Sequence, residues 1–586
     1  VSVGRSVAVP VRLGPMVTVV GFVPMGLNRS AAVEFTFSLV VVIAVSLWVR
    51  WFFAVLFAPL LGVTLLPAKW KHVDAGPGRV RRGFHAVLRG AMRFKWFTIT
   101  VTVALFMTSI WGMRFVENQF FPNSDRTELI MDITLPQNAS FADTLAETGR
   151  LEEYLDGNEK VSFWSAYVGR GAPRFLLSFE TAIPSSNTAQ IVIQTPSVEA
   201  RDALRDELNH LGMTRFPGTD VFVKLLEIGP PVGRPVQYRI SGPDIGTLRD
   251  RARDLAAVIA SDPRTEGTVM DWNEPARTVR VDILQDKARQ LNISQRDIAA
   301  ALNAIYDGTK VTQLRDEAYL VDILVRGDAV SRESVEALAG LQLSTANGIT
   351  IPLRSLATFK YDTEQPVINQ RSRVPTITVK AGISTNDQPA TIVADLSNQI
   401  AAFNDTLPFG YNVVIGGAVE ESASSQAPIA AVVPIMLLVM ITLVMIQMQS
   451  FRLSFIVLCA APLGMIGVVA ALILSGAPLG FVAILGVLAL LGILIRNSII
   501  LVHEIEVLRE KGRDAWDAVM EASDSRARPI LLTAAAASLA LIPISRQIFW
   551  GPMAYAMMGG IIIGTVVTLV FVPALYVAVF KVKQPE

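Results

Sequence analysis

The stretch Phe481-Val-Ala-Ile-Leu-Gly-Val-Leu-Ala-Leu-Leu-Gly-Ile-Leu-Ile-Arg-Asn-Ser-Ile-Ile-Leu-Val502 carries one charge, Arg496, in an otherwise apolar run. About 20 such residues in a helix cross the roughly 30 Å of bilayer hydrocarbon, so this segment reads as a membrane span. Working outward, Pro428–Ile446 and Phe455–Leu474 precede it, and Pro529–Ile544 and Met553–Phe580 follow. Phe97–Met113, Phe37–Leu66 and a shorter run at Arg12–Leu27 lie near the start. That makes about eight spans, crowded at the two ends of the chain. Between Met113 and Pro428 roughly 310 residues hold no such run, which implies an aqueous domain.

Composition agrees. Of the 586 residues 51% are apolar and 18% charged, below the roughly 25% charged of soluble proteins. Mean hydropathy is +0.44. Fifty-two basic residues against 51 acidic ones leave no global field to recruit nucleic acid. The single cysteine, Cys459, sits in an apolar run, which excludes a disulfide within the chain. The first residues lack the basic region, apolar core and small-residue cleavage site of a signal peptide.

Lys and Arg in short loops set the orientation. The segment Lys69–Lys95 carries eight of them and the connector His503–Arg528 five, so both belong on the cytoplasmic side. Alternation then puts the large aqueous domain on the far side, with Ser475–Leu479 and Ser545–Pro552. Within Arg79–Phe94, Val80, Phe84, Val87, Leu88 and Met92 share a helical stripe among arginines, the pattern of an interfacial helix.

Four times the aqueous region reads strand, amphipathic helix, strand. The copies are Leu129–Leu135, Phe141–Leu155, Val161–Val168; Gln190–Thr195, Val198–Leu211, Val221–Leu226; Val236–Ile240, Ile245–Ile259, Thr268–Trp272; and Thr376–Ile383, Pro389–Phe403, Tyr411–Ile415. Ser140 is the expected cap of the first helix, and Asn386 and Asp387 of the last. Pairing such units into ferredoxin-like sandwiches buries their sheets. Roughly Glu274–Arg373 reads as an insertion, with a helix at Gln295–Tyr306 and strands at Tyr319–Arg326 and Ile349–Pro352. A second repeat lies in the membrane. Phe57-Ala-Pro-Leu-Leu61 matches Phe571-Val-Pro-Ala-Leu575, and Gly21-Phe-Val-Pro-Met25 matches Ala540-Leu-Ile-Pro-Ile544. Such internal copies recur in secondary transporters. The later copy follows a span, the aqueous domain and three more spans, whereas almost nothing precedes the earlier one, so the expectation is a chain lacking its front half.

Ser450-Phe-Arg-Leu-Ser-Phe455 with Pro462-Leu-Gly464, Gly492-Ile-Leu-Ile-Arg-Asn-Ser-Ile-Ile-Leu-Val502, Arg526-Ala-Arg-Pro-Ile-Leu-Leu-Thr533 and Met558-Gly-Gly560 with Phe571-Val-Pro573 occur in this order. Together they resemble the resistance-nodulation-division (RND) superfamily, in particular its proton-driven hydrophobe and amphiphile efflux branch. The resemblance implies a helical membrane bundle, eight of an expected twelve spans being present. With it comes an α+β periplasmic porter of ferredoxin-like β-α-β repeats and an inserted docking subdomain. The implied parts are two spans in 1–68, a cytoplasmic or interfacial linker helix in 69–96, a span in 97–113 and a first porter subdomain in 114–227. A second porter subdomain in 228–273 and 374–426 brackets the docking insertion 274–373, and five spans fill 427–586. The resemblance further implies an inner-membrane secondary transporter rather than an enzyme, with no cofactor. It implies a homotrimer in the bilayer with a periplasmic adaptor and an outer-membrane channel, exporting small amphiphiles. No phosphate-binding loop, HExxH or paired-cysteine motif or Asp-rich calcium loop occurs, and the four histidines are scattered. A transport-inactive fragment is the alternative. Heavy-metal export is a further rival, for which Met131, Met213 and Met270 are the dispersed thioethers.

A charge at the depth of Arg496 is costly unless paired, so such residues are functional by default. By the resemblance it replaces a proton-relay lysine. Arg stays charged where Lys can release its proton, which suits a fixed counter-ion for carboxylates on a neighbouring span; the alternative is snorkelling. Asn497, Arg526 and Thr533 complete the expected relay. Thr533 is equally a hydroxyl bonded back to its own helix, and Arg526 equally a positive-inside anchor. No Asp or Glu lies well inside a span, since Glu34 and Glu504 sit at edges. In the porter, Phe163, Trp164, Tyr167, Phe175 and Phe179 flank Gly169-Arg-Gly-Ala-Pro173. The family places a glycine-containing loop and an aromatic substrate pocket there, and large adaptable rings suit amphiphiles. Core packing on alternate strand positions is the competing account.

Overall fold

The computed structural model describes residues 16–22, 31–65, 79–119, 121–122, 124–176, 178–229, 231–329, 332, 334–344, 348–385 and 387–584. Among these, six helical stretches are long and apolar enough to cross a membrane. The helices before the aqueous region are α1 (Ala31–Leu65), α2 (Arg79–Arg93) and α3 (Lys95–Gly112). The span expected at Phe37–Leu66 falls on α1 as far as Leu65, Leu66 lying outside the described residues; the described apolar core of α1 is Val40–Phe53. The one expected at Arg12–Leu27 lies outside the described residues apart from 16–22.

Each half of the aqueous region is a sheet with two helices on one face. The first holds β1 (Glu128–Thr134), α4 (Phe141–Leu155), β2 (Phe163–Val168), β3 (Thr188–Gln194), α5 (Val198–Arg215) and β4 (Asp220–Leu225). The second holds β5 (Val236–Ser241), α6 (Ile245–Ala260), β6 (Thr265–Met270), β7 (Val374–Ile383), α7 (Pro389–Asp405) and β8 (Asn412–Gly416). Strand order is β2-β3-β1-β4 in one and β6-β7-β5-β8 in the other, antiparallel throughout, with the short strand Gln370–Arg371 pairing the start of β7 as a fifth strand of the second sheet. The two are topological copies, each inserting the first strand of one unit between the strands of its neighbour, a split β-α-β arrangement. Leu151, Leu155, Leu204 and Leu208 from the helices meet Leu129, Met131, Ile191 and Ile193 from the first sheet. Leu248, Leu255, Ile392 and Leu396 meet Tyr238, Ile240, Ile377 and Val379 in the second.

Caps explain the helix starts. Ser140 accepts from the Asp143 amide in a reciprocal capping box, and Asp244 accepts from the Thr247 amide. At α7 the expectation fails: Gln388 holds the cap position without a side-chain bond, and Pro389 opens the helix. Its fixed φ pre-forms the first turn there. Asp387 sits one residue too early, and Asn386 lies outside the described residues.

The insertion pairs Ala276–Ile283 with Ala357–Glu364 around a small core of Ile293, Ile298, Leu338 and Leu353. A hairpin, Thr309–Asp316 with Tyr319–Val325, projects from it exposed along both strands.

The remaining helices are α8 (Gly417–Met448), α9 (Phe451–Ala460), α10 (Met465–Ser475), α11 (Phe481–Glu510), α12 (Ala515–Ser545) and α13 (Gly551–Val579). The span expected at Phe455–Leu474 is present as Phe451–Ser475, with a 3-10 turn at Pro462–Gly464 where proline removes a ladder bond. One expectation is corrected here. The connector His503–Arg528 is mostly helical, because α11 runs on to Glu510 and α12 begins at Ala515, burying Trp516, Val519 and Ala522. The glycines of the Met558-Gly-Gly560 motif set the packing of α13. A Cβ on Gly559 would collide with the Gly467 carbonyl of α10, and one on Gly560 with Leu490 of α11. Small residues at such crossings let membrane helices touch backbone to backbone.

Candidate relay and cavity

Arg496 stands fifteen positions into the 30-residue α11, about 22 Å from its start. The nearest acid further along this helix, Glu504, is about two turns on. Among the described residues Arg496 forms no ion pair and no hydrogen bond, and the charge whose field it feels is a second cation, Arg50 of α1. Asn497 and Ser498 beside it are buried, and the Ser498 hydroxyl has no partner.

The other expected relay residues do not meet Arg496. Arg526 on α12 pairs with Glu504 on α11, clamping the C-terminal part of α11 to the N-terminal part of α12. Its Nε is buried without a partner among the described residues. Thr533 is exposed and donates to the Pro529 carbonyl at 2.8 Å, a bond within its own helix. A second clamp was not expected. Asp524 on α12 accepts from Arg81 at 2.5 Å and lies 2.8 Å from His85 Nε2, both on α2. In the sequence Asp524 is only one of seven acidic residues in the connector His503–Arg528, so nothing singled it out.

In the porter the five aromatic residues divide. Trp164 faces the helices of its sheet and donates to Glu152 at 3.1 Å, which makes it a core residue. Tyr167 points to the opposite, open face, where Phe179, Ala172 and Leu226 form a small cluster with Ile130. Phe175 stacks on Phe179 with ring centroids 4.9 Å apart; Phe175 is 45% exposed and Phe179 only 4%. Phe163, at the start of edge strand β2, is 63% exposed. The glycines of the intervening loop have definite roles. Gly169 takes φ +75°, and a Cβ on Gly171 would meet the Ala182 amide at 2.5 Å.

A cavity of about 640 Å³ opens between the two sheets, and none of the five aromatics lines it. Its wall is formed by α5 and β4 on one side and by β6, β7 and the start of α7 on the other. Phe222, Met213 and Phe121 supply apolar area, and Lys224, Glu227 and Glu266 supply charge. Burial pushes the Glu227 and Glu266 carboxyls above the ordinary carboxylate range. The Val232 and Gly233 amides, donating to Glu227 at 2.6 and 3.1 Å, offset part of that. Phe121 also stacks on Phe481, at the mouth of α11, with centroids 5.2 Å apart. The cavity therefore stands on the membrane bundle at the helix that carries Arg496. The Phe179 loop borders it, because Ser178 donates to the Glu227 carbonyl.

A family model described as the AcrB/AcrD/AcrF family matches residues 3–580. Among solved structures, a heavy metal efflux pump in two crystal forms is similar at 22% sequence identity and a TM-score of 0.79. Each match covers 98% of this chain and 58% of that chain. The chain thus spans 58% of the length of the solved structures it matches, and at this identity the likeness is one of fold.

Proposed function

The chain belongs to the AcrB/AcrD/AcrF family of RND efflux transporters, and from that premise we propose that it acts in proton-driven export of amphiphilic compounds across the inner membrane. The observation that carries this reading is the cavity seated on the bundle, with aromatic and charged groups on one wall and a stacked Phe121–Phe481 floor. An amphiphile entering from the outer leaflet meets apolar area and fixed charges together, which is what its two ends require. Phe175, partly exposed beside the cavity, extends the apolar surface, while Phe163 and Tyr167 belong to the open face leading to it.

Arg496 supplies the drive. Arg496 is a deep cation with no ion pair among the described residues, and an intramembrane charge of this kind calls for carboxylates that load and release protons beside it. Loading neutralises the carboxylates and loosens the bundle around Arg496; release restores the attraction. Arg526–Glu504 holds α11 and α12 together while this happens, so Arg526 acts as a clamp, and Thr533 and Asn497 contribute at the helix surface and in its packing.

Heavy-metal export is the second reading, favoured by the fold match to a heavy metal efflux pump. Met131 and Met270 pack in the two sheet cores, which leaves Met213 as the thioether on the cavity wall. Soft cations are held by several such ligands together.

Pumps of this superfamily generally form trimers with an adaptor and an outer-membrane channel. We extend that to this protein, for which the exposed hairpin Thr309–Val325 is the contact surface we propose for a second copy or an adaptor.

The test is export in cells expressing the protein. Arg496→Ala should abolish dye efflux under a proton gradient at unchanged membrane level. Normal efflux would overturn the counter-ion role, and resistance to copper(I) without any to dyes would transfer the substrate to metals.

A further inference from the structure

Helix α2 holds five arginines and a histidine, and no acid occurs in the chain between Asp74 and Glu117. The residues divide by face. Leu88 and Met92 are buried against the bundle, Phe84 packs on Ala527, Ile530 and Leu569, and Arg81 and His85 are taken by Asp524. Arg82, Arg89 and Arg93 lie at i, i+7 and i+11, so they share another face. All three are exposed and meet no carboxylate among the described residues. From Arg82 to Arg93 the stripe rises eleven steps, about 16 Å.

A third face is apolar and uncovered. Val87 and Phe94 are 57% and 62% exposed, and Trp96 and Phe97, at the start of span α3, are 69% and 71% exposed. The helix breaks at Phe94, with φ −98° and ψ 46°, and α3 starts at Lys95. The Arg93 end of the stripe is therefore tied within one turn of the start of the span. Trp at that level is the usual marker of the membrane–water interface.

From this arrangement we propose that Arg82, Arg89 and Arg93 form a binding surface for anionic lipid headgroups, with Val87, Phe94, Trp96 and Phe97 lying against the acyl chains below. Three guanidinium groups without a carboxylate among the described residues, Arg93 resting over the Phe94 ring, offer forked donors that match a lipid phosphate. Being part of a helix fixed to α12 by Asp524, they hold the headgroup at a set place rather than on a loose tail. The proposal does not depend on what the protein exports.

Each basic side chain near an anionic surface is worth about fivefold in lipid partition. The three together predict a preference of up to about a hundredfold, and at least about tenfold once salt screens them, for anionic over zwitterionic lipid beside α2. The chain is reconstituted in phosphatidylcholine vesicles that carry brominated phosphatidylglycerol or brominated phosphatidylcholine. The quenching that disappears in Trp96→Phe reports the lipid next to Trp96. We expect brominated phosphatidylglycerol to quench that component at a mole fraction at least about tenfold lower. The advantage should fall with added salt and vanish in the triple Arg82→Gln, Arg89→Gln, Arg93→Gln variant. The corresponding triple lysine variant should retain most of it, which separates charge from damage to the helix. Equal quenching by both lipids in the unaltered chain overturns the proposal, as does an undiminished preference in the glutamine variant.

Discussion

Truncating Phe179 and Phe175 separately tests whether the aromatic loop is packed structure or open binding surface. Phe179 is 4% exposed and touches Ile130, Ala172 and Leu226, so Phe179→Ala removes a nearly full burial and leaves a cavity beneath the loop. Core substitutions of this kind cost about 3–5 kcal/mol. Phe175 is 45% exposed; it loses about half of a full Phe burial, near 1 kcal/mol, and the stacking term of about 0.5–1.5 kcal/mol is lost in either variant. Thermal melting of the purified protein, followed by intrinsic fluorescence, should show a clear drop for Phe179→Ala and a small one for Phe175→Ala. Efflux should show the reverse specificity: Phe175→Ala should lower resistance to some amphiphiles and spare others at unchanged protein level. Equal melting losses in the two variants, or uniform loss of resistance to every substrate in Phe175→Ala, would refute this division of roles.

Gly559→Ala should reduce melting temperature and membrane yield, since its Cβ meets the Gly467 carbonyl and overpacking costs about 1–3 kcal/mol; wild-type stability would show that α10 and α13 do not touch there. The Glu227 carboxyl is raised by burial, so its contribution to stability is full below the unfolded pKa of about 4.3 and is lost as pH rises through the folded value. The melting temperature of the protein minus that of Glu227→Gln should therefore fall between pH 4 and 7, and a rise would contradict the burial. With Cys459 replaced by alanine, an impermeant thiol reagent outside the inner membrane should label Glu317→Cys at the hairpin tip but not Lys511→Cys; the reverse pattern would overturn the orientation.

Much of the fold was legible because its signals are local. The four strand–helix–strand units show alternation of period two against stripes of three and four, and their elements reappear within a few residues. Their order in the sheets follows from pairing, which no single unit encodes. The helical connector was missed because charges that read as a loop in a hydropathy scan also suit the solvated face of a helix. At the site, Arg496 was legible as a lone charge in apolar surroundings. Glu504 and Asp524 were seen only as span edge and loop charge, because their partners Arg526, Arg81 and His85 come from other helices. The aromatic residues of β2 could not be sorted from composition, since one position along the strand sends Trp164 to the core and another sends Tyr167 to the open face. The cavity was invisible for the same reason: Phe222, Glu266 and Phe121 meet only through tertiary structure.

The central claim is that the cavity over α11 receives the substrate. A photoactivatable amphiphilic dye, bound to the protein in membranes and mapped by peptide mass spectrometry, tests it directly. Adducts should concentrate on Phe121, Met213 and Phe222, with competition by unlabelled substrate and loss in Phe222→Ala. Adducts confined to lipid-facing helix surfaces, with none in the cavity, would contradict it.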